Sequence, residues 1–475
     1  MLNQVVKFSK KLPGIPTLPF IGNLTFLLKN KKNLPIALEK VSRQLKKNFG
    51  IWFGPIFGVF IVEPDDIEII LTSPLTADKE PTIYEIFAKF LGPTSLQPSK
   101  ADKTYRSDKK LIMSIINSKY VFKFIDTFNY HANVLVNVLE NKVDKGEFDV
   151  LNNMSHCIAD IVFETIFGIP GKNQQGSVDK SVSHIERVME LLFQRALNPL
   201  WHFDFLFNVL SKHSKEWYHT KTGIDFFLEN LIAEKTKNYP KSKDNENDSK
   251  FRCSLFDQLF SNVEATQKWT KEETKTNLFT LFLASHDTLH GTISFSLLMI
   301  AMHQEVQDKI RQEVNEIVGD ELINENVLNN LTYIDMTLKE IIRLFPIAPL
   351  MGRVTSDDLK LTSHTVPKGC SIALFALGVH KNPKYWIEPD KFNPERFSVE
   401  NSKNRPKYAY IPFSGGARMC PGYKYGLACL KTIISHVIRN YELSTNMKMS
   451  DLDLYMNVSI HNRTGYPVSL KKLKS

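Results

Sequence analysis

The rhythm of apolar and polar positions changes twice along the chain. Near the start, short β-prone runs at Gly50–Trp52 and Gly58–Ile61 follow a stretch rich in proline and glycine, PGIPTLPFIGNL at 13–24. Proline fixes φ, so this stretch, within a proline-rich lead-in spanning residues 1–25, predicts extended, stiff chain over 13–24. From about Tyr84 to Phe345 helical spacing dominates. The clearest start is Thr270 with Glu273 three residues on, a capping-box pattern that satisfies orphan backbone donors. Apolar positions then recur at helical spacing, which predicts a helix over about 271–302, roughly 45 Å long at 1.5 Å per residue. After Phe345 the pattern becomes one of short strands and turns. Val354–Leu374 alternates weakly, and Pro383, Pro389, Pro394, Pro406 and Pro412 punctuate a meander. A final helix is expected after Cys420, running to about Tyr441. The polar stretch from Asn238 to Lys250 has the composition of a surface loop. No repeat and no sharp shift of composition divides the chain, so the expectation is a single, mainly α unit over residues 1–475 with minor strand content.

Composition narrows the class. Apolar residues make up 43% and charged residues 23%, which is globular rather than disordered. The net charge is +9, but no basic block is interleaved with aromatics, so nucleic acid is not expected as a partner. An acidic protein partner or an anionic membrane surface fits the charge better. The five cysteines are widely spaced with no CxxC pair, which argues against a disulfide scaffold or zinc site and suits a reducing compartment. The opening MLNQVVKFSKKL has no apolar run of the kind a secretory signal needs. Nor is there an uninterrupted membrane-spanning stretch: Leu278–Met302 comes nearest, and His286, Asp287 and His290 break it.

The strongest chemical signal is FSGGARMCPG at 413–422. A cysteine ends a glycine-rich, arginine-bearing turn and precedes a helix, whose backbone donors would stabilise a thiolate. Pro421 suits an opening helical position, where its missing N–H costs little. Gly416 and Gly422 would allow close approach of the backbone to a flat ligand, and Arg418 could clamp a carboxylate.

This segment resembles the haem-binding loop of the cytochrome P-450 superfamily, F-x-x-G-x-R-x-C-x-G, through Phe413, Gly416, Arg418, Cys420 and Gly422. Glu340 and Arg343 in KEIIRLFP resemble that family's E-x-x-R pair, and Arg396 in FNPERF stands where its third member is found. The resemblance extends to Ala284–Leu289 (ASHDTL), where the family has [AG]-G-x-[DE]-T-[TS]; Asp287 and Thr288 keep its acid–alcohol pair. Ser285 replaces the customary glycine, and its hydroxyl is expected to bond back to the Leu281 carbonyl and bend the helix. Leu289 replaces a second hydroxyl residue. His286 reads as a local hydrogen-bonding residue rather than an iron ligand.

The resemblance implies the P-450 fold, a large helical lobe with a smaller β-rich lobe formed by sequence near both ends. It implies non-covalent haem with Cys420 as axial thiolate, Arg353 and Arg418 as propionate contacts, and Phe413, Gly416 and Gly422 shaping the loop. Tyr105 and Lys109 stand where the family often has W-x-x-x-R against a propionate. Asp287 and Thr288 would handle protons. The motifs are most similar to those of the microsomal fatty-acid ω-hydroxylase branch, some members of which esterify haem through a glutamate at the Ala284 position. Alanine there forbids that bond, so haem should extract without hydrolysis. Substrate contacts would fall around Leu281–Thr288, Ala348–Met351 and Val458–Ile460, with Pro346, Pro349 and Met351 giving an apolar lining.

The implied activity is insertion of one oxygen atom from O2 into an apolar lipid, fatty-acid or sterol substrate, with electrons from a flavoprotein NADPH reductase docking near Lys407 and Lys424. Two rivals stand beside it: a haem-thiolate isomerase or dehydratase of lipid peroxides, and a haem-binding protein without turnover. The expected location is the cytosolic face of the endoplasmic reticulum membrane, by peripheral contact, or the cytoplasm.

Overall fold

In the computed structural model the described residues are 2–92, 96, 100–116, 121–176, 180–238, 254–266, 269–319 and 321–473. The fold is mainly α with small sheets, as expected. Its residues group into two compact units, the first made of residues 1–83, 335–420 and 448–464 and the second of 84–334, 421–447 and 465–475.

The first unit holds most of the strands. Its four-stranded sheet runs in the order Phe49–Phe53, Ile56–Ile61, Ser371–Phe375, Leu350–Val354. The first pair is antiparallel with Phe49 opposite Phe60, and the last is antiparallel with Arg353 opposite Ile372. Between them Gly58–Ile61 pairs in parallel with Ser371–Leu374. Alternating side chains, among them Val59, Ile61, Ile372 and Leu374, enter one apolar core with Ile67 and Ile70. The same alternation turns Met351 and Arg353 to the buried side of their strand, so a guanidinium occupies a position where an apolar residue would be usual.

The proline-rich lead-in is extended only over residues 13–18; residues 19–23 turn and Leu24 opens the helix Leu24–Lys29, and bridges Gly14–Gly50 and Gly22–Phe53 tie the segment to the sheet. Ahead of it, Leu2–Ser9 forms a helix that sequence reading did not anticipate. Its Val5 and Phe8 are buried in the core, with the Phe8 ring edge-on to Phe57, so tertiary packing rather than local propensity holds it.

The second unit is built of helices and one three-stranded sheet, Phe148–Asp149, Pro467–Lys472 and Tyr441–Ser444. Its longest helix is Lys271–Met302, beginning at the capping box read from sequence: Thr270 Oγ1 accepts from the Glu273 amide at 3.1 Å, and Glu273 Oε2 accepts from the Thr270 amide at 2.8 Å. Most residues of this helix are buried, the exceptions at its middle being exposed Ala284 and half-buried Ser285 and Thr288. Many phenylalanines are core, as with Phe163 and Phe167, each 5.1 Å from the Phe282 ring. The final helix is Tyr423–Asn440 with Gly422 as its N-cap. Pro421 therefore precedes the cap rather than opening the helix. Of the polar stretch 238–250, Asn238 ends the helix Ser214–Asn238, and the remainder lies outside the described residues.

Candidate functional site

The cysteine loop belongs to the first unit up to Cys420. Ser414 and Gly416 take left-handed backbone at φ 60° and 59°, which folds Phe413–Cys420 back on itself. The Cys420 amide closes the loop on the Phe413 carbonyl at 2.9 Å. A Cβ on Gly416 would lie 1.8 Å from the Leu71 carbonyl oxygen, so the neighbouring helix Pro64–Thr72 is the immediate reason for glycine there. Beside Gly422 the space is open: a Cβ there would meet no protein atom within 4 Å.

Cys253 lies outside the described residues, and the other four cysteines are reduced. Cys157, Cys370 and Cys429 are buried, and loss of solvation pushes their thiols up, Cys370 to about 12. Cys420 is the one among these four that is only half-buried.

Two guanidiniums flank this loop. Arg353, 3% exposed, donates from Nη2 to the Ser414 hydroxyl at 3.2 Å and from Nη1 to the Gly352 carbonyl at 2.8 Å. Arg418, within the loop and 8% exposed, donates from Nε to the Ala77 carbonyl at 2.9 Å. Ser414 carries no motif signal in the sequence; its left-handed backbone and its contact with Arg353 mark it. A reduced, partly open thiol beside two permanently charged forks is a donor set that suits haem, with its soft axial requirement and paired carboxylates.

Beneath the loop lies a buried network. Arg343 grips Glu340 through Nε at 2.6 Å and Nη2 at 2.8 Å, and Arg396 Nε reaches Glu340 Oε1 at 3.2 Å. The same oxygen accepts from the Asn393 amide at 2.9 Å. Remaining donors on the two arginines bind the carbonyls of His380, Ile387, Glu388, Pro389 and Lys391. The triad therefore fastens the meander 380–396. His380 then passes that order on: its Nε2 accepts from the Ile411 amide at 2.8 Å, two residues before Phe413. Burial, reinforced by the Arg343 charge, lowers its pKa to about 3, so the ring stays a neutral acceptor.

The remaining candidates belong to the second unit. Asp287 is buried on the long helix, and Thr288 beside it is half-buried. Thr288 Oγ1 donates to the Ala284 carbonyl at 2.7 Å. Among the described residues Ser285 makes no such bond to Leu281, so the expected back-bond is found at Thr288 instead. Thr292 repeats it onto the Thr288 carbonyl at 2.7 Å. Leu289 is buried beside Gly426, where a Cβ would come 3.4 Å from its Cδ2. His286 is wholly buried, with Nε2 3.2 Å from the Ser155 carbonyl, and burial lowers its pKa to about 3. It is a local hydrogen-bonding residue. Tyr105 is buried and Lys109 half-buried, one turn apart on the helix Lys103–Ile115. Asp102 caps that helix, and Asp108 accepts from the Trp269 indole at 2.9 Å.

Comparison with known proteins places this geometry. The cytochrome P-450 family pattern matches residues 12–467. Over 488 residues the chain is 29% identical to cytochrome P-450 4V2 of Mus musculus, covering 99% of this chain and 92% of that protein. It is likewise 29% identical to cytochrome P-450 4V2 of Homo sapiens over 496 residues, covering 99% and 93%. Cytochrome P-450 4c21 of Blattella germanica is 29% identical over 453 residues, covering 93% and 89%. The chain belongs to the cytochrome P-450 family, as a monooxygenase of mainly α fold that binds haem through a cysteine thiolate and works with O2, an apolar substrate and a redox partner.

Proposed function

We propose that this chain inserts one oxygen atom of O2 into a lipid substrate of the fatty-acid or sterol class, with electrons from a flavoprotein NADPH reductase. Cys420 is the axial ligand, Arg353 and Arg418 hold the propionates, and Phe413, Gly416 and Gly422 shape the loop. The observation that carries the reading is the half-buried Cys420 at the end of a loop that Arg353 grips through Ser414. Haem, when bound, supplies oxygen activation, to which a thiolate ligand contributes electron density.

The chain's own part is to position and to move protons. Thr288 commits its hydroxyl proton to the Ala284 carbonyl, leaving Oγ1 lone pairs to accept from a water and orient it. Asp287, buried next to it, is the group that takes up a proton and then, as the acid, passes it to that water. Tyr105 and Lys109 add two donors, without a bidentate fork. Lys407 and Lys424 serve the reductase-docking face, where binding should weaken as ionic strength rises.

Location at the cytosolic face of the endoplasmic reticulum is supported by exposed apolar side chains in the second unit: Leu200, Phe203, Phe205, Val209 and Leu210 are each more than half exposed. So dense an apolar patch suits peripheral contact with lipid. No helix among the described residues is long and apolar enough to cross a membrane.

The test is turnover under isotopically labelled O2 with NADPH and reductase, after a screen of fatty acids and sterols for shifts of the haem spectrum. One labelled atom in the product is expected. Product formed from lipid peroxide alone, with none from O2 and reductase, would replace this reading with the isomerase.

A further inference from the structure

Two histidines meet across a pair of helices in the second unit. Arg187, on the helix Lys180–Leu197, reaches Glu216 on the helix Ser214–Asn238, donating from Nε to Oε1 at 2.5 Å and from Nη2 to Oε2 at 2.7 Å. One turn back on the first helix and one turn on along the second stand His184 and His219, with ring centroids 6.4 Å apart and planes at 85°. The two contacts step in opposite senses, so the helices are antiparallel here and the histidines share one seam. The His184 ring also lies against the second helix. A Cβ on Gly223, one turn after His219, would be 3.5 Å from its Cε1 and 3.6 Å from its Nδ1. With glycine there, the ring has room to turn.

These rings are not spent on structure. His286, His380 and His436 each hydrogen-bond a neighbour and are buried. His184 is half-buried and His219 exposed, and among the described residues no hydrogen bond engages either ring. Two facing imidazoles with uncommitted nitrogens are a chelate for a divalent ion of borderline softness. At a Zn–N length of about 2.1 Å each ring centroid would sit about 3.2 Å from the ion, so tetrahedral geometry wants centroids about 5.2 Å apart. Closing the present gap takes about 1 Å, within reach of side-chain rotation alone. The neighbouring charges favour a cation, since Arg187 also contacts Glu190 and one guanidinium faces two carboxylates. Among the described residues no group of three or more His, Cys, Asp or Glu side chains is placed to hold a metal, so water completes the coordination.

We infer that His184 and His219 bind one divalent transition-metal ion, zinc in the first instance, and clasp the helix Lys180–Leu197 to the helix Ser214–Asn238. The second of these is tied in turn to the long helix, where Lys275 Nζ donates to Glu229 at 3.0 Å. An ion at the clasp therefore steadies helices that are fastened to the oxygen-side helix. The site uses no cysteine and its test reads no turnover, so it stands or falls separately from the monooxygenase reading.

The experiment is calorimetric titration of Zn2+ into the haem-loaded protein, for the wild type, His184→Asn and His219→Asn, with Mg2+ as the comparison ion. Hydrogen–deuterium exchange of both helices is followed with and without zinc. Each substitution should remove the same ion, weakening its binding at least about tenfold, since loss of even an outer partner of a metal ligand costs about 10–100-fold. Zinc should slow exchange in both helices of the wild type and in neither variant. Mg2+, which prefers oxygen ligands, should do neither. Without zinc the variants should keep the wild-type circular dichroism and exchange, because neither ring holds a hydrogen bond in the fold. Zinc uptake equal in all three proteins, or lost in only one variant, would overturn the inference. So would a zinc-dependent dimer that either substitution abolishes, since the ion would then bridge two chains rather than two helices.

Discussion

Replacing Glu340 by Gln tests whether the buried triad, rather than the cysteine loop alone, sets the geometry of the thiolate. Glu340 and Arg343 are wholly buried, and the Arg396 side chain is 10% exposed. Removing the carboxylate charge leaves two guanidiniums facing each other in a desolvated site, a change that costs about 3–5 kcal/mol in comparable pairs. Against a typical total of about 5–15 kcal/mol this is a large fraction of the stability. Buried ion pairs can often be replaced by apolar residues at little cost, but here the two arginines also satisfy the carbonyls of His380, Ile387, Glu388, Pro389 and Lys391. Each carbonyl left without a donor would cost about 1–3 kcal/mol where it is buried. The triple variant Glu340→Leu, Arg343→Met, Arg396→Leu should therefore fail to recover what Glu340→Gln loses. The assay is thermal unfolding of the haem-loaded protein, followed by far-UV circular dichroism and by the haem band. Both variants should unfold several degrees lower, and the haem band should change before the helical signal does. If Glu340→Gln kept the wild-type midpoint, or the apolar triple restored it together with the haem band, the pinning role would be wrong.

Three other outcomes are expected. Folding holds His286 and His380 at pKa about 3 and His436 at about 4, against 6.5 ordinarily, chiefly through burial. The unfolded chain thus binds more protons below pH 6.5, so stability is full above that pH and falls on acidification, by up to about 4 kcal/mol per pH unit until the folded pKa values are reached. A denaturant midpoint that stayed flat between neutral pH and about pH 5 would contradict this. Gly416→Ala adds about 1–3 kcal/mol of backbone strain to a steric overlap with Leu71. It should lower the haem-to-protein ratio while sparing the helical signal, and full haem occupancy would refute it. Arg353→Lys keeps the charge but loses the fork that spans Ser414 and Gly352. Haem dissociation should quicken about tenfold, and an unchanged rate of transfer to apomyoglobin would remove Arg353 from the site.

The parts of the fold legible in the sequence were those written in local chemistry. Thr270 and Glu273 announce the long helix because a capping box needs only neighbouring residues. The parallel pairing of Gly58–Ile61 with Ser371–Leu374 is set by packing between segments some three hundred residues apart, and no local pattern encodes it. At the site, the motif residues Glu340, Arg343 and Arg396 do meet. His380, which carries the triad's order to Ile411, and Ser414, which accepts from Arg353, are marked by their contacts rather than by any motif role. Hydroxyl direction was equally hidden: the back-bond expected of Ser285 is made by Thr288.

The central claim is that Cys420 holds the haem iron as a thiolate. The most direct measurement is the absorption spectrum of the ferrous carbon monoxide complex in the wild type and in Cys420→Ser, with Cys157→Ser and Cys429→Ser as controls. Ligation by Cys420 requires the strongly red-shifted Soret band of a thiolate complex in the wild type and both controls, and its loss in Cys420→Ser. A red-shifted band that survives Cys420→Ser would contradict it.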